Sequence, residues 1–446
     1  MRPLQTASRV CLNHQAVSIS QAEQCRRHTG PLIGGGVVSV FAQVVVLLSA
    51  LLFHPAVAAD DSTSTNVDPK TSASSIQVRG GLASSLAAFQ SGEGTVAFMG
   101  GSITEMEGYR PMVIESIKER FPSTEFDFIN AGISSTCSHT GAFRFKQDVL
   151  AKEPDLLLVE FAVNDDQDAS HSYQDAVRGM EGIVRAARQS RPQMDIVMVF
   201  FVNESMLKTV QSGKVPVSIA AHLSVAERYG VSTCNVAVEL ARLIEQGKMT
   251  WLEYGGVHPK RPGNRVAADL VDQVFERCEF REGSKPKSAD QGPSESANLP
   301  SALDPFSFAK GDFLPRENVN VSDDWQWKQP DWDSIGGGFR SRFAGRELCV
   351  AESPSSECEI AFHGNAFGLY VLAGPDAGVV EYSVDGGVWE KQDLYHRFSR
   401  GLHYPRTVVL KSELSDGDHK VRLRVSREKN PESNGHAVRV LEFVAS

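Results

Sequence analysis

Runs rich in apolar residues recur between residues 95 and 235, and they limit the possible folds more than any other feature. They are TVAFM (95–99), EFDFIN (125–130), DLLLVEFA (155–162), DIVMVFF (195–201) and the weaker VSTCN (231–235). The segments between and after them have the apolar period of helices, at about 111–120, 142–152, 173–189, 217–229, 236–246 and 262–277. Apolar strands that alternate with helices are typical of a parallel sheet covered on both faces. We therefore predict an α/β domain over residues 79–280.

The pattern changes after a linker at 281–300, which is rich in Ser, Pro and Gly. Segments such as VVEYSVDGG and HKVRLRVSR alternate apolar and polar residues and are divided by turns. No helical period appears from about Leu348 onward. Residues 301–446 are therefore predicted to form an antiparallel β-sandwich.

The N-terminus has the features of an export signal. Four arginines precede a long apolar stretch, which ends in HPAVAAD with small residues suited to signal-peptidase cleavage. We predict a signal peptide at 1–59 and a flexible lead-in at 60–78, with a retained membrane anchor as the alternative because the apolar stretch is long. The mature protein is then secreted or periplasmic, without stable membrane association unless this segment is retained.

The net charge argues against one class of partner, and the cysteine positions bear on a possible disulfide and on metal binding. The formal net charge of -10 argues against nucleic-acid binding, which needs clustered Lys and Arg. Cys349 and Cys358 flank a loop between two strand-like runs, and an oxidising compartment would allow a disulfide there, although sequence cannot show the geometry. No CxxC or HxxxH spacing is present, so a structural zinc site has no support.

Polar groups follow the apolar strands, at the loops where α/β sheets collect their reactive groups. The first strand is followed by GGSIT, the second by NAGISST, the third by FAVND, and GGVHP precedes the last helix. Acyl transfer requires such a set, because a hydroxyl nucleophile needs a base and the developing oxyanion needs preorganised donors.

These four blocks, in this order, resemble the SGNH (GDSL-like) hydrolase superfamily over roughly residues 79–280. The resemblance implies a flavodoxin-like parallel sheet. It also implies that Ser102 is the nucleophile and His258 the general base, while the Gly132 N–H and the Asn164 amide form the oxyanion hole. Gly101 belongs to the same nucleophile block and is expected to line the substrate site.

One position departs from the superfamily pattern. The acid usually found three residues before the histidine is replaced by Gly255, and the nearest acid is Glu253. A backbone carbonyl could hold the imidazole, Glu253 could reach it, or the domain could have lost activity. Arg144, at the start of a helix near the Gly132 loop, is a candidate substrate-binding residue or an ordinary surface arginine.

The four blocks and the resemblance together imply a serine esterase that removes short acyl groups, most simply acetyl, from carbohydrate, and the substrate class rests mainly on the resemblance and on the appended sandwich. An acyl-enzyme route needs no metal or organic cofactor, so none is expected. The C-terminal region is similar to β-sandwich modules of secreted SGNH esterases, so it is either a carbohydrate-binding domain or a packing partner of the hydrolase. Two alternatives stay open: a lipid or short-chain carboxylester hydrolase, and a glycan-binding protein on an inactive hydrolase fold. The predicted partner is an acylated carbohydrate.

Overall fold

The structure is a computed structural model that describes residues 74–282 and 299–446. The predicted signal peptide at 1–59 lies outside these ranges, as do most of the lead-in and most of the linker. Within the described ranges, no helix combines the length and the apolar character that crossing a membrane requires.

A six-stranded sheet forms the centre of the first domain. Its strands are β1 (Ile76–Gln77), β2 (Glu93–Gly100), β3 (Glu125–Gly132), β4 (Leu156–Glu160), β5 (Asp195–Phe200) and β6 (Ser232–Asn235), in the spatial order β1-β6-β5-β4-β2-β3. Strands β2 to β6 are parallel, and only the short edge strand β1 is antiparallel. Every residue of β4 is buried, as in a strand covered on both faces. The parallel strands have the flavodoxin-like order 2-1-3-4-5, which confirms the predicted fold.

Helices cover this sheet, and the six predicted from the sequence are all present. The helices are α1 (Ala83–Ser91), α2 (Ser102–Glu105), α3 (Tyr109–Arg120), α4 (Ser138–Asp148), α5 (Tyr173–Ser190), α6 (Glu204–Gln211), α7 (Val217–Arg228), α8 (Val236–Glu245), α9 (Trp251–Tyr254) and α10 (Arg261–Glu282). Local chemistry fixes several of their ends. For example, α5 begins at a capping box in which Ser172 and Asp175 bond each other's backbone N–H groups.

The strand order places the ends of three strands side by side. Strand β2 lies between β3 and β4, and Gly100 at its end is in register with both Gly132 and Glu160. The chain direction across the sheet reverses at this point, and open α/β sheets bind ligands in the crevice at such a switch point. The loops that follow β2, β3 and β4 therefore meet in one place.

The second domain is an antiparallel β-sandwich, as predicted. The strands are β7 (Asp312–Phe313), β8 (Val319–Val321), β9 (Gln326–Lys328), β10 (Leu348–Ala351), β11 (Glu357–Gly364), β12 (Phe367–Ala373), β13 (Val379–Val384), β14 (Glu390–Asp393), β15 (Tyr404–Lys411), β16 (Gly417–Val425) and β17 (Val438–Ala445). One sheet has the order β15-β12-β17-β10-β9, with β7 also paired to β17, and the other has the order β14-β13-β16-β11-β8. Cys349 and Cys358 are buried in opposite sheets as free thiols.

The two domains share part of their interior. One cluster of buried apolar side chains extends from the hydrolase sheet to Leu348, Tyr370 and Leu441 of the sandwich, whereas a second cluster lies within the sandwich alone. Polar contacts cross the same junction, including a 2.9 Å hydrogen bond between the hydroxyls of Thr140 and Thr407. The sandwich is thus packed against the hydrolase domain along a mixed apolar and polar surface.

Candidate active site

Ser102 stands at the end of β2, at the first position of the short helix α2. Gly100, the last residue of β2, and Gly101, which follows it, must both be glycine because neighbouring groups occupy the space of a Cβ atom. At Gly100 a Cβ would lie 2.4 Å from Thr104 Oγ1, and at Gly101 it would lie 2.1 Å from Asn164 Oδ1. The tight turn brings Ser102 to the crevice, and its N–H has no partner within the helix that it begins.

His258 contacts Ser102 directly, with 2.8 Å between its Nε2 atom and Ser102 Oγ. This distance is that of a hydrogen bond between a nucleophile and its base. Partial burial is the largest influence on the ring and lowers the pKa of His258 below its ordinary value. Asp168 opposes this shift, and the guanidinium of Arg340 adds to it. The imidazole is therefore neutral, and able to accept a proton, at neutral pH.

The loop before His258 explains the missing acid. Gly255 ends α9 in the left-handed conformation, with a φ of 110°, and a Cβ there would lie 2.3 Å from the backbone nitrogen of Lys260. An aspartate at this position would be strained in this loop. Glu253 does not replace it, because its Oε2 atom accepts hydrogen bonds from Thr250 N at 2.7 Å and Thr250 Oγ1 at 2.8 Å. The candidate orienting role of Glu253 is thus corrected to a capping role at α9.

Gly132 also differs from its expected role. Its N–H donates a 3.0 Å hydrogen bond to Asn130 Oδ1 and is not directed at the crevice as a free donor. Further along the same loop, Ser135 has a φ of 74°, a conformation that is uncommon for residues other than glycine. Among the hydrogen bonds of the described residues, the Ser135 N–H has no acceptor. Within the described residues, Ser135 therefore offers a free backbone donor in this loop, whereas Gly132 does not.

Asn164 lies against the turn that carries Ser102, and its role as an oxyanion donor stays a prediction. It follows β4, is only 2% exposed, and begins a π-helical turn at Asn164–Asp168. One N–H of its Nδ2 group donates to Asp168 Oδ2 at 2.7 Å, which leaves the second N–H for another acceptor. Asp168 thus links the amide to the electrostatic environment of His258.

Arg144 does not contact the crevice. Its side chain is 1% exposed, and it donates to Asp148 Oδ2 at 2.8 Å and to the Gly100 carbonyl at 3.2 Å. Both bonds lie inside the domain, so the predicted substrate contact is wrong. Arg144 instead stabilises the end of β2 through its hydrogen bond to Gly100, next to the turn that carries Ser102.

Two arginines of the second domain approach the site, and the sequence did not single them out. Arg340 Nη2 donates to Ser135 Oγ at 2.5 Å. Arg342 Nη1 donates to the Gly132 carbonyl at 2.8 Å and to Glu105 Oε1 at 2.7 Å. More than 200 residues separate the partners of each of these bonds, so no local pattern could have indicated them.

Comparisons with known proteins show what this chain is similar to. Residues 98–266 match the GDSL-like Lipase/Acylhydrolase family. A solved two-domain esterase active on acetylated mannans, co-crystallised with mannopentaose, is similar at a TM-score of 0.66 and 20% identity, covering 85% of this chain and 98% of that chain. A catalytic mutant of an acetylxylan esterase from Geobacillus stearothermophilus matches at a TM-score of 0.35 and 16% identity, covering 41% of this chain and 95% of that chain. No curated protein matches this chain significantly.

The first domain therefore belongs to the class of ester-bond hydrolases with a serine and a histidine at the switch point of a flavodoxin-like sheet. Residues 98–266 carry a domain of the GDSL-like lipase/acylhydrolase family. The similarity to the two-domain esterase shows that both domains share its fold.

Proposed function

We propose that this protein is a serine esterase that removes acetyl or similar short acyl groups from carbohydrate through an acyl-enzyme intermediate. The observation that carries the proposal is the 2.8 Å contact between Ser102 Oγ and His258 Nε2 at the switch point of the sheet. A hydroxyl in hydrogen-bond contact with an imidazole is the arrangement that covalent acyl transfer requires, and this contact supports the proposal.

In the proposed mechanism, Ser102 Oγ attacks the ester carbonyl carbon while its proton passes to His258 Nε2. The tetrahedral oxyanion is held by the N–H groups of Ser102 and Ser135 and by the second N–H of Asn164 Nδ2. Collapse expels the sugar hydroxylate, which takes the proton from His258. A water molecule then attacks the acyl-enzyme by the same steps in reverse and releases the carboxylic acid.

Electrostatics take the place of the missing acid in this proposal. The His258 ring has its hydrogen bond with Ser102, and no other partner for it is present among the described residues. Asp168 nevertheless favours the protonated imidazole through its charge. Asp168 therefore stabilises the imidazolium that develops on His258. The same carboxylate accepts a hydrogen bond from the Asn164 amide.

The polarity of the surroundings supports carbohydrate as the substrate class. Arg340, Arg342 and Arg397 of the sandwich lie at the loops around the site, and Arg397 Nη2 is 3.9 Å from Asp168 Oδ1. Guanidinium groups are suited to holding hydroxyl and carbonyl oxygens of a sugar. The shared two-domain fold with an esterase active on acetylated mannans points in the same direction. The predicted export would place the reaction outside the cytoplasm.

The test is labelling by a fluorophosphonate together with hydrolysis of acetylated polysaccharide. We expect labelling of the native protein and none of Ser102→Ala, whose turnover falls by about 10⁴-fold or more. The exposed Ser212→Ala serves as the matched control and should label normally. Acetylated mannan or xylan should be hydrolysed in preference to a long-chain acyl ester. A folded protein that binds polysaccharide but neither labels nor hydrolyses would refute the proposal and favour a glycan-binding role.

A further inference from the structure

Beside the active site, a thiol, a carboxylate and an imidazole converge at a point that the hydrolytic mechanism does not use. Cys137 precedes α4, Asp165 lies in the π-helical turn after β4, and His171 lies in the loop before α5. One potential ligand atom from each lies within 4.8 Å of the others. Cys137 is 5% exposed, Asp165 is fully buried, and the His171 side chain is 9% exposed.

The spacing of these atoms suits a tetrahedral metal ion. His171 Nδ1 and Asp165 Oδ1 are 3.4 Å apart, and bonds of about 2.0–2.3 Å at a tetrahedral centre separate neighbouring ligand atoms by roughly 3.3–3.8 Å. The Nδ1 atom is buried, and apart from the 3.4 Å ion-pair contact with Asp165 Oδ1 it has no hydrogen bond among the described residues. That contact is longer than a normal hydrogen bond, so a bound cation would satisfy the buried atom better than the carboxylate alone does.

The surroundings hold the ligands as a metal site requires. The N–H of Ser138 donates to Asp165 Oδ1 at 2.8 Å, and His222 Nε2 lies 2.9 Å from Asp165 Oδ2, so the carboxylate is fixed on both oxygens. The ring of His139 stacks on that of His171, with 3.9 Å between their centroids. Such outer contacts orient metal ligands and raise affinity.

An open coordination position is also available. Cys137 and His171 line a cavity of about 350 Å³ between the two domains, together with Asp168, Tyr404 and Arg406. A water molecule in this cavity could complete a four-coordinate ion. A thiolate and a carboxylate together neutralise a divalent cation, so Arg406 nearby would face no excess positive charge.

We propose that Cys137, Asp165 and His171 form a zinc-binding site. The mixed sulfur, nitrogen and oxygen donor set favours Zn²⁺ over Mg²⁺ or Ca²⁺, which prefer oxygen ligands. The ion joins the loop of Ser135 to the turn that begins with Asn164, and it therefore braces the two segments that carry oxyanion donors. The sequence offered no such indication, because the ligands come from three separate segments and not from a short motif.

Metal analysis of the intact protein tests this site. After chelation and dialysis, one Zn²⁺ per chain should bind and raise the thermal midpoint. Co²⁺ in its place should give a thiolate-to-cobalt charge-transfer band in the near ultraviolet. The variants Cys137→Ala and His171→Ala should bind Zn²⁺ more than about tenfold more weakly and lose the band. Cys234→Ala, at a fully buried cysteine of β6 outside the cluster, should keep both.

A second measurement covers the case in which a variant fails to fold. Zn²⁺ should protect Cys137 of the native protein from alkylation by N-ethylmaleimide, as read from the mass of its peptide, and should leave the other cysteines unchanged. Absence of stoichiometric binding by the folded native protein would overturn the proposal. So would full binding by folded Cys137→Ala, or an alkylation rate of Cys137 that Zn²⁺ does not change. None of these readouts depends on esterase activity.

Discussion

Two opposite charges act on His258, and their effects help to determine the pH range in which it can act as a base. Asp168 favours its protonated form and Arg340 disfavours it, while partial burial also favours the neutral ring. A general base works when neutral, so activity is present above its pKa and is lost as the pH falls through that value. Because the pKa of His258 is lowered, the acidic limb should lie below the ordinary histidine value of 6.5.

The first prediction follows from these signs. Arg340→Gln removes a positive charge and should move the acidic limb of kcat/KM to higher pH. Asp168→Asn removes a negative charge and should move it to lower pH. Arg340→Lys retains the charge and is the matched control, with the limb unmoved. The measurement is the pH dependence of kcat/KM for an acetyl ester, and identical limbs in Arg340→Gln and Asp168→Asn would contradict the electrostatic account.

A second prediction concerns Gly101. A methyl group there would lie 2.1 Å from Asn164 Oδ1, so Gly101→Ala must displace the Asn164 amide. Losing one oxyanion donor typically lowers kcat by about 10²–10³-fold, and we expect that loss with little change in KM. Gly345→Ala is the control, since no atom of the described residues lies within 4 Å of its Cβ position and the residue is exposed. Unchanged kcat in Gly101→Ala would show that Asn164 is not a donor in the transition state.

Glu160, the last residue of β4, supports the turn that carries Ser102 through its buried carboxyl group. Glu160 Oε1 accepts hydrogen bonds from Gly101 N at 3.2 Å and Thr104 Oγ1 at 3.1 Å, while Oε2 has no partner among the described residues. Burial raises the pKa of Glu160 to about 8, although the hydrogen bonds from Thr104 and Gly101 oppose the shift. The native protein therefore holds a proton here that the unfolded chain releases near pH 4.5.

A third prediction concerns stability against pH. Because the folded-state pKa is raised, the contribution of Glu160 to stability falls as the pH rises from about 4.5 to about 8 and is level above that. Glu160→Gln keeps both accepted bonds and carries no charge, so its stability relative to the native protein should increase by at most about 1.4 kcal/mol per pH unit over this range. Unfolding by urea at pH 5 and pH 8 measures it, and an equal difference at both pH values would contradict a buried neutral carboxyl.

The sequence predicted the elements that carry strong apolar periodicity and missed those set by local capping. Strands β2 to β6 and six of the helices followed from apolar pattern alone. Helix α6 did not, although Asn203 caps it by accepting from Met206 N at 2.9 Å, and that asparagine could have indicated its start. Helix α1 has no side-chain cap, and its start gives no comparable signal.

The sequence could predict only part of the candidate site, because some roles depend on where a single donor group points. Ser102, Asn164 and His258 follow directly from strand ends and a family pattern, so their segments fix their positions. The roles of Gly132 and Arg144 depended on where a single N–H and a single guanidinium point, and these directions are set by Asn130 and Asp148. The contacts of Arg340 and Arg342 depend on the packing of distant segments, which local patterns do not encode.

At the scale of the whole molecule, the junction between the domains contains a buried ion pair. Arg178 of α5 donates from Nε to Asp304 Oδ2 at 2.8 Å and also pairs with Glu413 of the sandwich. The side chains of Arg178 and Asp304 are 7% and 5% exposed. Because the apolar interior also crosses this junction, the two domains are expected to unfold together, in one transition.

Arg178→Ala should test this coupling most directly. Removing one member of a buried pair leaves the other charge unpaired, so Asp304 would be buried without its main partner, at a cost of about 3–5 kcal/mol. Arg265→Ala breaks an exposed pair with Asp269 and should cost no more than about 1 kcal/mol. Calorimetry and urea titration followed by fluorescence and circular dichroism should show one transition for both proteins, moved to a lower midpoint only in Arg178→Ala. Two separate transitions in the native protein, or equal losses in the two variants, would mean that the junction does not couple the hydrolase domain to the sandwich.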